Sequence, residues 1–374
     1  MGAAVRPTVA EVDLSAIREN VRAILRKVSP ARVMAVVKAD AYGHGAIPVA
    51  KAALQAGASS LAVAMLEEAL ELREAGISAP ILVFGGALPQ EARDYLRHGL
   101  TATLYTRESL LAFAKEAKAQ ARGVKVHIKV DTGMGRVGVP WEEALRFVQE
   151  ARATPGVEVE GIYTHLATSD ERDKTFAFEQ LTRFRQVLRA LEEANVRGLV
   201  RHAANSGAIL DLPEAYFDLV RPGIMMYGYY PSAETSESVA VRPAMTFKTR
   251  VIYLKEVPAG TPISYGRTYL TPRATRIATL PVGYADGYNR LLSNCGEVLI
   301  RGRRYPVVGR VCMDQILVDV GLDSPVEVGD EVVLFGRQGD AELSVRSICE
   351  KLNTIPYEVT CWVSKRVPRV YLNG

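Results

Sequence analysis

Between residues 33 and 220 the chain repeats one pattern eight times. A short run of apolar, mostly β-branched residues is followed by a segment with helical spacing of its apolar positions. The runs fall at 33–37, 61–65, 81–84, 101–105, 125–130, 157–165, 199–203 and 217–220. Strands that alternate with helices build βαβ units and a parallel sheet. Eight such units predict an α/β fold whose N-terminal part is a closed (β/α)8 TIM-type barrel, with an open doubly wound sheet as the competing architecture. From about residue 239 the helical periods fade. Short β-branched runs at 246–254, 275–280, 297–300, 316–320 and 331–335 take over, broken by Gly and Pro. This predicts a C-terminal mainly-β domain. The expected domains are 1–238 and 239–374, with an extended N-terminal segment joining the β domain. The length agrees, since 374 residues exceed the ~250–300 at which one core usually stops growing.

Composition narrows the function classes. Hydrophobic residues make up 48% and charged residues 24%, as in soluble globular chains rather than disordered or fibrous ones. The net charge of +4 is spread without a basic stripe, so no nucleic-acid partner is expected. No apolar leader and no membrane-length apolar stretch are present, so no membrane association is expected. The four cysteines, Cys295, Cys312, Cys349 and Cys361, form no C-x-x-C pair. A reducing, cytoplasmic setting follows as the expectation.

In a βα barrel, chemistry sits where the strands end. The first strand runs straight into Lys38, followed by Ala39-Asp40-Ala41-Tyr42-Gly43-His44-Gly45. An ammonium group at an apolar mouth is either an ordinary exposed lysine or a desolvated nucleophile toward carbonyls, the Schiff-base chemistry of pyridoxal phosphate sites. Such a site needs an anion cradle for the phosphate. Ser206 and Gly223-Ile224 follow the last two strands, where barrels frequently bind phosphate. It needs a partner for the ring nitrogen, for which Arg221 is available. It also needs a cation for the ring hydroxyl and substrate carboxylate, for which Arg136 follows the fifth strand. A metal-dependent hydrolase built on His44, His165, His202, Asp131 and Asp170 is the rival reading, but no H-x-H or H-E-x-x-H motif supports it.

The run Ala35-Val36-Val37-Lys38-Ala39-Asp40-Ala41-Tyr42-Gly43-His44-Gly45 resembles the cofactor-attachment signature of alanine racemases, with Asp40 where asparagine is common. The resemblance continues through Asp131-Thr132-Gly133-Met134-Gly135-Arg136, Tyr163-Thr164-His165, Ala204-Asn205-Ser206 and Arg221-Pro222-Gly223-Ile224. In the second half it includes Ser264-Tyr265-Gly266, Gly283-Tyr284-Ala285-Asp286-Gly287, Gly309-Arg310-Val311-Cys312-Met313-Asp314-Gln315 and Arg366-Val367-Pro368-Arg369. It covers essentially the whole chain, in order.

The resemblance implies an enzyme that interconverts L- and D-alanine with pyridoxal 5'-phosphate, as a homodimer with shared active sites. It implies Lys38 and the partner subunit's Tyr265 as the two bases. His165, linked to Arg221, would activate the tyrosine, whose phenol normally titrates near ~10. Cofactor contacts would come from Lys38, Tyr42, Arg136, His165, Asn205, Ser206, Arg221, Gly223, Ile224 and Tyr357, and the substrate carboxylate would meet Arg136 and the Met313 amide. Lys129 corresponds to a lysine that can be carbamylated and orients the arginine matching Arg136. Tyr284, Arg290, Arg310 and Asp170 resemble a polar approach corridor. A non-catalytic carrier of the same cofactor would need Lys38 but no Tyr265. A racemase for serine, lysine or arginine is harder to separate by sequence.

Overall fold

The computed structural model describes residues 6–374. Its contacts divide the chain into two compact units: one of residues 16–41 and 45–242, the other of residues 6–15, 42–44 and 243–374.

The first unit is the barrel. Its strands are Arg32–Val36, Ser60–Val63, Ile81–Val83, Thr101–Leu104, Val124–Asp131, Val157–Tyr163, Val200–His202 and Leu219–Val220. Successive strands pair in parallel, and the eighth pairs with the first through Leu219 opposite Arg32. Between the seventh and eighth strands the ring is joined by Asp218 N–H on Arg201 O (3.0 Å) and Arg221 N–H on Ala204 O (2.9 Å). Val33, Ala35, Leu61, Val63, Ile81, Val126, Ile128 and Val130 are fully out of water. Each large apolar side chain removed this way is worth roughly 1.5–3 kcal/mol. The outer helices turn the same kind of face inward. Helix Leu14–Val28 buries Ile17, Val21, Ile24 and Val28, the i, i+4, i+7, i+11 positions of one stripe. Helix Thr175–Glu193 buries Leu181, Phe184, Val187, Leu188 and Leu191 in the same way. Thr106 caps helix Arg107–Gln120 by accepting from Ser109 N–H.

The second unit is mainly β. A seven-stranded sheet runs in the order 303–306, 297–300, 331–338, 245–250, 9–13, 369–372, with 341–343 added to 331–338. Strand Val9–Asp13 lies antiparallel to Met245–Arg250 and parallel to Arg369–Leu372. Tyr253–Val257, Thr275–Leu280 and Ile316–Asp319 form a second, three-stranded sheet. The run expected as one strand at 246–254 is therefore two. Val251 N–H bonds Asp330 O and Ile252 N–H bonds Thr279 O, so the chain changes sheets there. Two helices that no period announced close the unit, Val345–Leu352 and Pro356–Trp362. Ser344 caps the first by accepting from Ser347 N–H.

Candidate active site

Lys38 stands directly after the first barrel strand. Val36 N–H donates to Pro222 O (3.2 Å), which ties this strand end to the segment leading into Gly223. The residues after Lys38 do something unusual. Ala39, Asp40, Ala41 and Tyr42 all have φ between 52° and 54°, a full left-handed turn made without glycine. Such a turn costs roughly 1–2 kcal/mol per residue. It is held by several bonds. Ala39 N–H donates to Glu68 Oε1 (2.5 Å), Ala46 N–H to Asp40 Oδ1 (2.8 Å), Ala41 N–H to Val37 O (2.9 Å) and Gly45 N–H to Asp40 O (2.9 Å). In the second unit, Tyr42 packs against Tyr357 with ring centroids 5.9 Å apart. Gly43 is forced twice over, by φ of 82° and by Thr360 O lying 2.4 Å from where a Cβ would sit.

At the far strands, Arg221 is buried and held from three sides. Nη1 meets His202 Nδ1 at 2.9 Å. Nη2 donates to Thr164 O and Ala203 O, both at 2.9 Å, and meets His165 Nδ1 at 3.3 Å. Nε is the guanidinium nitrogen without a partner among the described residues. Burial lowers the Arg221 pKa to about 10. Tyr163 fills the space beside it, stacked on His202 at 4.6 Å, with Arg221 5.3 Å and Lys129 5.2 Å from its ring centre. Burial, then the positive charges of Arg221, Lys129, Arg136 and Lys38, hold His165 well below the usual histidine range. Four cations thus act on one imidazole, which makes this end of the barrel a place for anions.

The anion cradle is recognisable. Gly223 N–H donates to Ser206 Oγ (3.0 Å), and Ile224 opens the turn Ile224–Tyr227, whose first N–H groups have no partner within it. Asn205 has a structural duty here. Its Oδ1 accepts from Ala208 N–H (3.1 Å) and Ser169 Oγ (2.7 Å), capping helix Ser206–Asp211 beside the cradle. Arg136 is exposed and makes no hydrogen bond among the described residues. Lys129 is buried, with only Val130 O at 3.3 Å, and burial pulls its pKa to about 7.

In the second unit, Tyr265 is 71% and Met313 52% exposed, and the Met313 amide has no partner among the described residues. Tyr284, Arg290 and Arg310 are also exposed, whereas Asp170, in the barrel unit, is half-buried. The proposed metal ligands of the rival reading do not gather: among the described residues no group of three His, Cys, Asp or Glu side chains could hold a metal ion. No helix there is long and apolar enough to cross a membrane. Sequence reasoning missed His127, Glu160, Gly161 and Glu68. Their signal is geometric, because each lies against a residue that is distant in sequence.

Residues 12–231 match the family model of the alanine racemase N-terminal domain and residues 244–371 that of the alanine racemase C-terminal domain. The chain belongs to the alanine racemase family. The alanine racemase of Halothermothrix orenii is 50% identical over 369 residues, covering 98% of this chain and 97% of that one. Among solved structures, alanine racemase from Clostridium difficile 630 is 40% identical with a TM-score of 0.94, over 98% of this chain and 96% of the other. The structure of alanine racemase from Bartonella henselae, described with covalently bound pyridoxal phosphate, is 31% identical with a TM-score of 0.88, over 98% and 99%. The barrel and mainly-β architecture is thus the one this enzyme family shares.

Proposed function

We propose that the protein racemises alanine with pyridoxal phosphate, in a dimer whose active sites each draw on both subunits. The observation that carries this is Arg221: a buried guanidinium fixed from three sides, its Nε unshared, at the same barrel end as Lys38, Ser206 and Gly223. The donor set fits the cofactor. Ser206 Oγ and the Gly223 and Ile224 amides suit a phosphate, a role the resemblance also gives Tyr42 and Tyr357; Arg221 Nε suits a ring nitrogen; Asn205 braces the cradle. When bound, the cofactor supplies an electron sink that makes the substrate Cα–H acidic.

This chain's residues then handle charge and protons. Lys38 Nζ attaches the cofactor and, once freed, takes or returns the Cα proton on one face. Tyr265 of the partner subunit does the same on the other face, in line with its exposure on a single chain. Arg221 donates to His165 Nδ1, which leaves the proton of a neutral His165 on Nε2, available to the tyrosine oxygen. Arg136 pairs with the substrate carboxylate, joined by the amide of Met313 of the partner subunit, and Tyr284, Arg290, Arg310 and Asp170 line the approach. Because Arg221 keeps its own proton, it would not protonate a bound ring nitrogen, which would suppress amino-group transfer. The enzyme works in the cytoplasm, and its D-alanine feeds peptidoglycan synthesis.

Purified protein should be yellow and should abolish the optical rotation of L-alanine. Lys38→Ala should lose the cofactor band and the activity, and borohydride should fix the cofactor to Lys38. Failure to racemise L-alanine, or cofactor attachment that survives Lys38→Ala, would overturn the assignment. Restored growth of a D-alanine auxotroph tests the cellular role.

A further inference from the structure

Barrel interiors are filled by branched apolar side chains. This one contains a polar column. Arginine can only donate hydrogen bonds, so His202 Nδ1, 2.9 Å from Arg221 Nη1, must accept. The His202 proton then sits on Nε2, which lies 2.8 Å from His127 Nδ1. That nitrogen must accept in turn, which puts the His127 proton on Nε2, 3.5 Å from Glu160 Oε2. One direction of donation therefore runs Arg221, His202, His127, Glu160. The column ends at a cavity of about 90 Å³ lined by Arg32, His127, Glu160 and the first residues of several strands, at the barrel end opposite Lys38.

The barrel is shaped around this column. Gly161 has no left-handed φ to explain it, yet a Cβ there would lie 2.6 Å from His127 Cε1. The pairing of the fifth and sixth strands shifts register between Val126 and His127, which re-aims the ring. Tyr163 stacks on His202 and fixes its plane. The bond to His127 is the foremost cause that holds Glu160 ionised, its pKa lowered to about 2, with Lys125 2.6 Å away as a second partner.

Resting on the racemase reading, we propose that Glu160 is a remote positioning residue for the reaction: through His127 and His202 it orients Arg221 and offsets part of the arginine's charge. Aligned hydrogen bonds polarise one another, so the carboxylate's charge is felt at His202 Nδ1. Without it, Arg221 presents more positive charge to the cofactor ring nitrogen. The ring withdraws electrons more strongly, and the returning proton is more often placed on the cofactor. Water would then cleave the C=N link, its oxygen going to the departing pyruvate and its two hydrogens to the nitrogen that would stay on the cofactor as an amine.

Glu160→Gln keeps the shape and removes the charge. In the holoenzyme it should lower kcat about 10-fold, leave KM for alanine within about twofold, and raise pyruvate released per racemisation at least about threefold. In unsubstituted holoenzyme labelled with 15N-histidine, NMR should show His127 and His202 each protonated at Nε2 alone. Gly161→Ala, which displaces His127 without touching a charge, should disturb both histidine signals and raise pyruvate. A protonated His202 Nδ1 overturns the proposal whatever the variants do, and so does a wild-type pyruvate ratio in a folded Glu160→Gln protein. Unsubstituted protein that racemises no alanine would sink the racemase reading instead and leave the tautomer result standing.

Discussion

Lys129 shows how one side chain's surroundings decide its chemistry. A buried ammonium with a carbonyl and an aromatic face for company is poorly compensated, and its pKa falls to about 7. The neutral amine is a nucleophile. Its nitrogen can bond to the carbon of CO2, release a proton, and become a carbamate anion, which would relieve the crowding of Arg221 and Arg136. The neutral fraction grows as pH rises through about 7. Protein equilibrated with 13C-bicarbonate should therefore show a carbamate carbon signal that strengthens from about pH 6 to about pH 8 and is missing in Lys129→Ala. If Lys129 orients Arg136, as the resemblance implies, that variant should raise KM for alanine more than it lowers kcat. The candidate side chains Lys38, Arg136, His165 and Arg221 were legible in the sequence because each ends an apolar strand or follows one in a glycine-marked loop. Glu160 was not, since a glutamate inside a strand reads as an ordinary solvated position until His127 is seen beside it.

At the level of elements, the left-handed turn after Lys38 depends on a helix elsewhere. Glu68, in helix Leu66–Glu74, accepts from Ala39 N–H with one oxygen and from Ala64 and Met65 N–H with the other. Glu68→Ala leaves three amides without an acceptor and should cost about 1–3 kcal/mol of stability. It should also cut kcat, with Glu68→Gln recovering part of both; melting curves and progress curves check this. Nothing in Ala39-Asp40-Ala41-Tyr42 announces positive φ, because none of the four is glycine and the acceptor that starts the turn, Glu68, lies 29 residues away. The strand–helix alternation was legible for the opposite reason: it follows from apolar spacing within each segment. The split at Val251 was invisible because both halves are β-branched and only their partners differ.

The column of barrel strands also carries an acid sensitivity. His127 and His202 are held neutral chiefly by burial. As pH falls below about 6.5 the unfolded chain binds protons there more readily than the folded one, so stability falls with pH. Glu160 adds to the loss at lower pH: its stabilisation is present above about 4.5 and disappears as pH drops toward about 2. The thermal midpoint should decline steeply from about pH 6.5 to about pH 5, and less steeply in His202→Gln.

For the molecule as a whole, the proposed sharing of sites makes a quantitative demand. Chains bearing Lys38→Ala and chains bearing Tyr265→Phe should each be inactive alone. Co-expressed, half of the dimers are hybrids in which one of two sites has both wild-type residues, so about a quarter of wild-type activity per chain should return. If one chain supplies both residues, the mixture stays inactive. Strand Val9–Asp13 has a different whole-chain consequence. Ala10 lies between Phe247 and Arg369, so this strand completes its pairing only with segments more than 230 residues away along the chain. Until residues 369–372 are in place, one side of that ribbon stays open to pairing with a stranger. A chain in which residues 369–372 are displaced would thus keep its barrel strands paired yet carry a sticky border along Val9–Asp13.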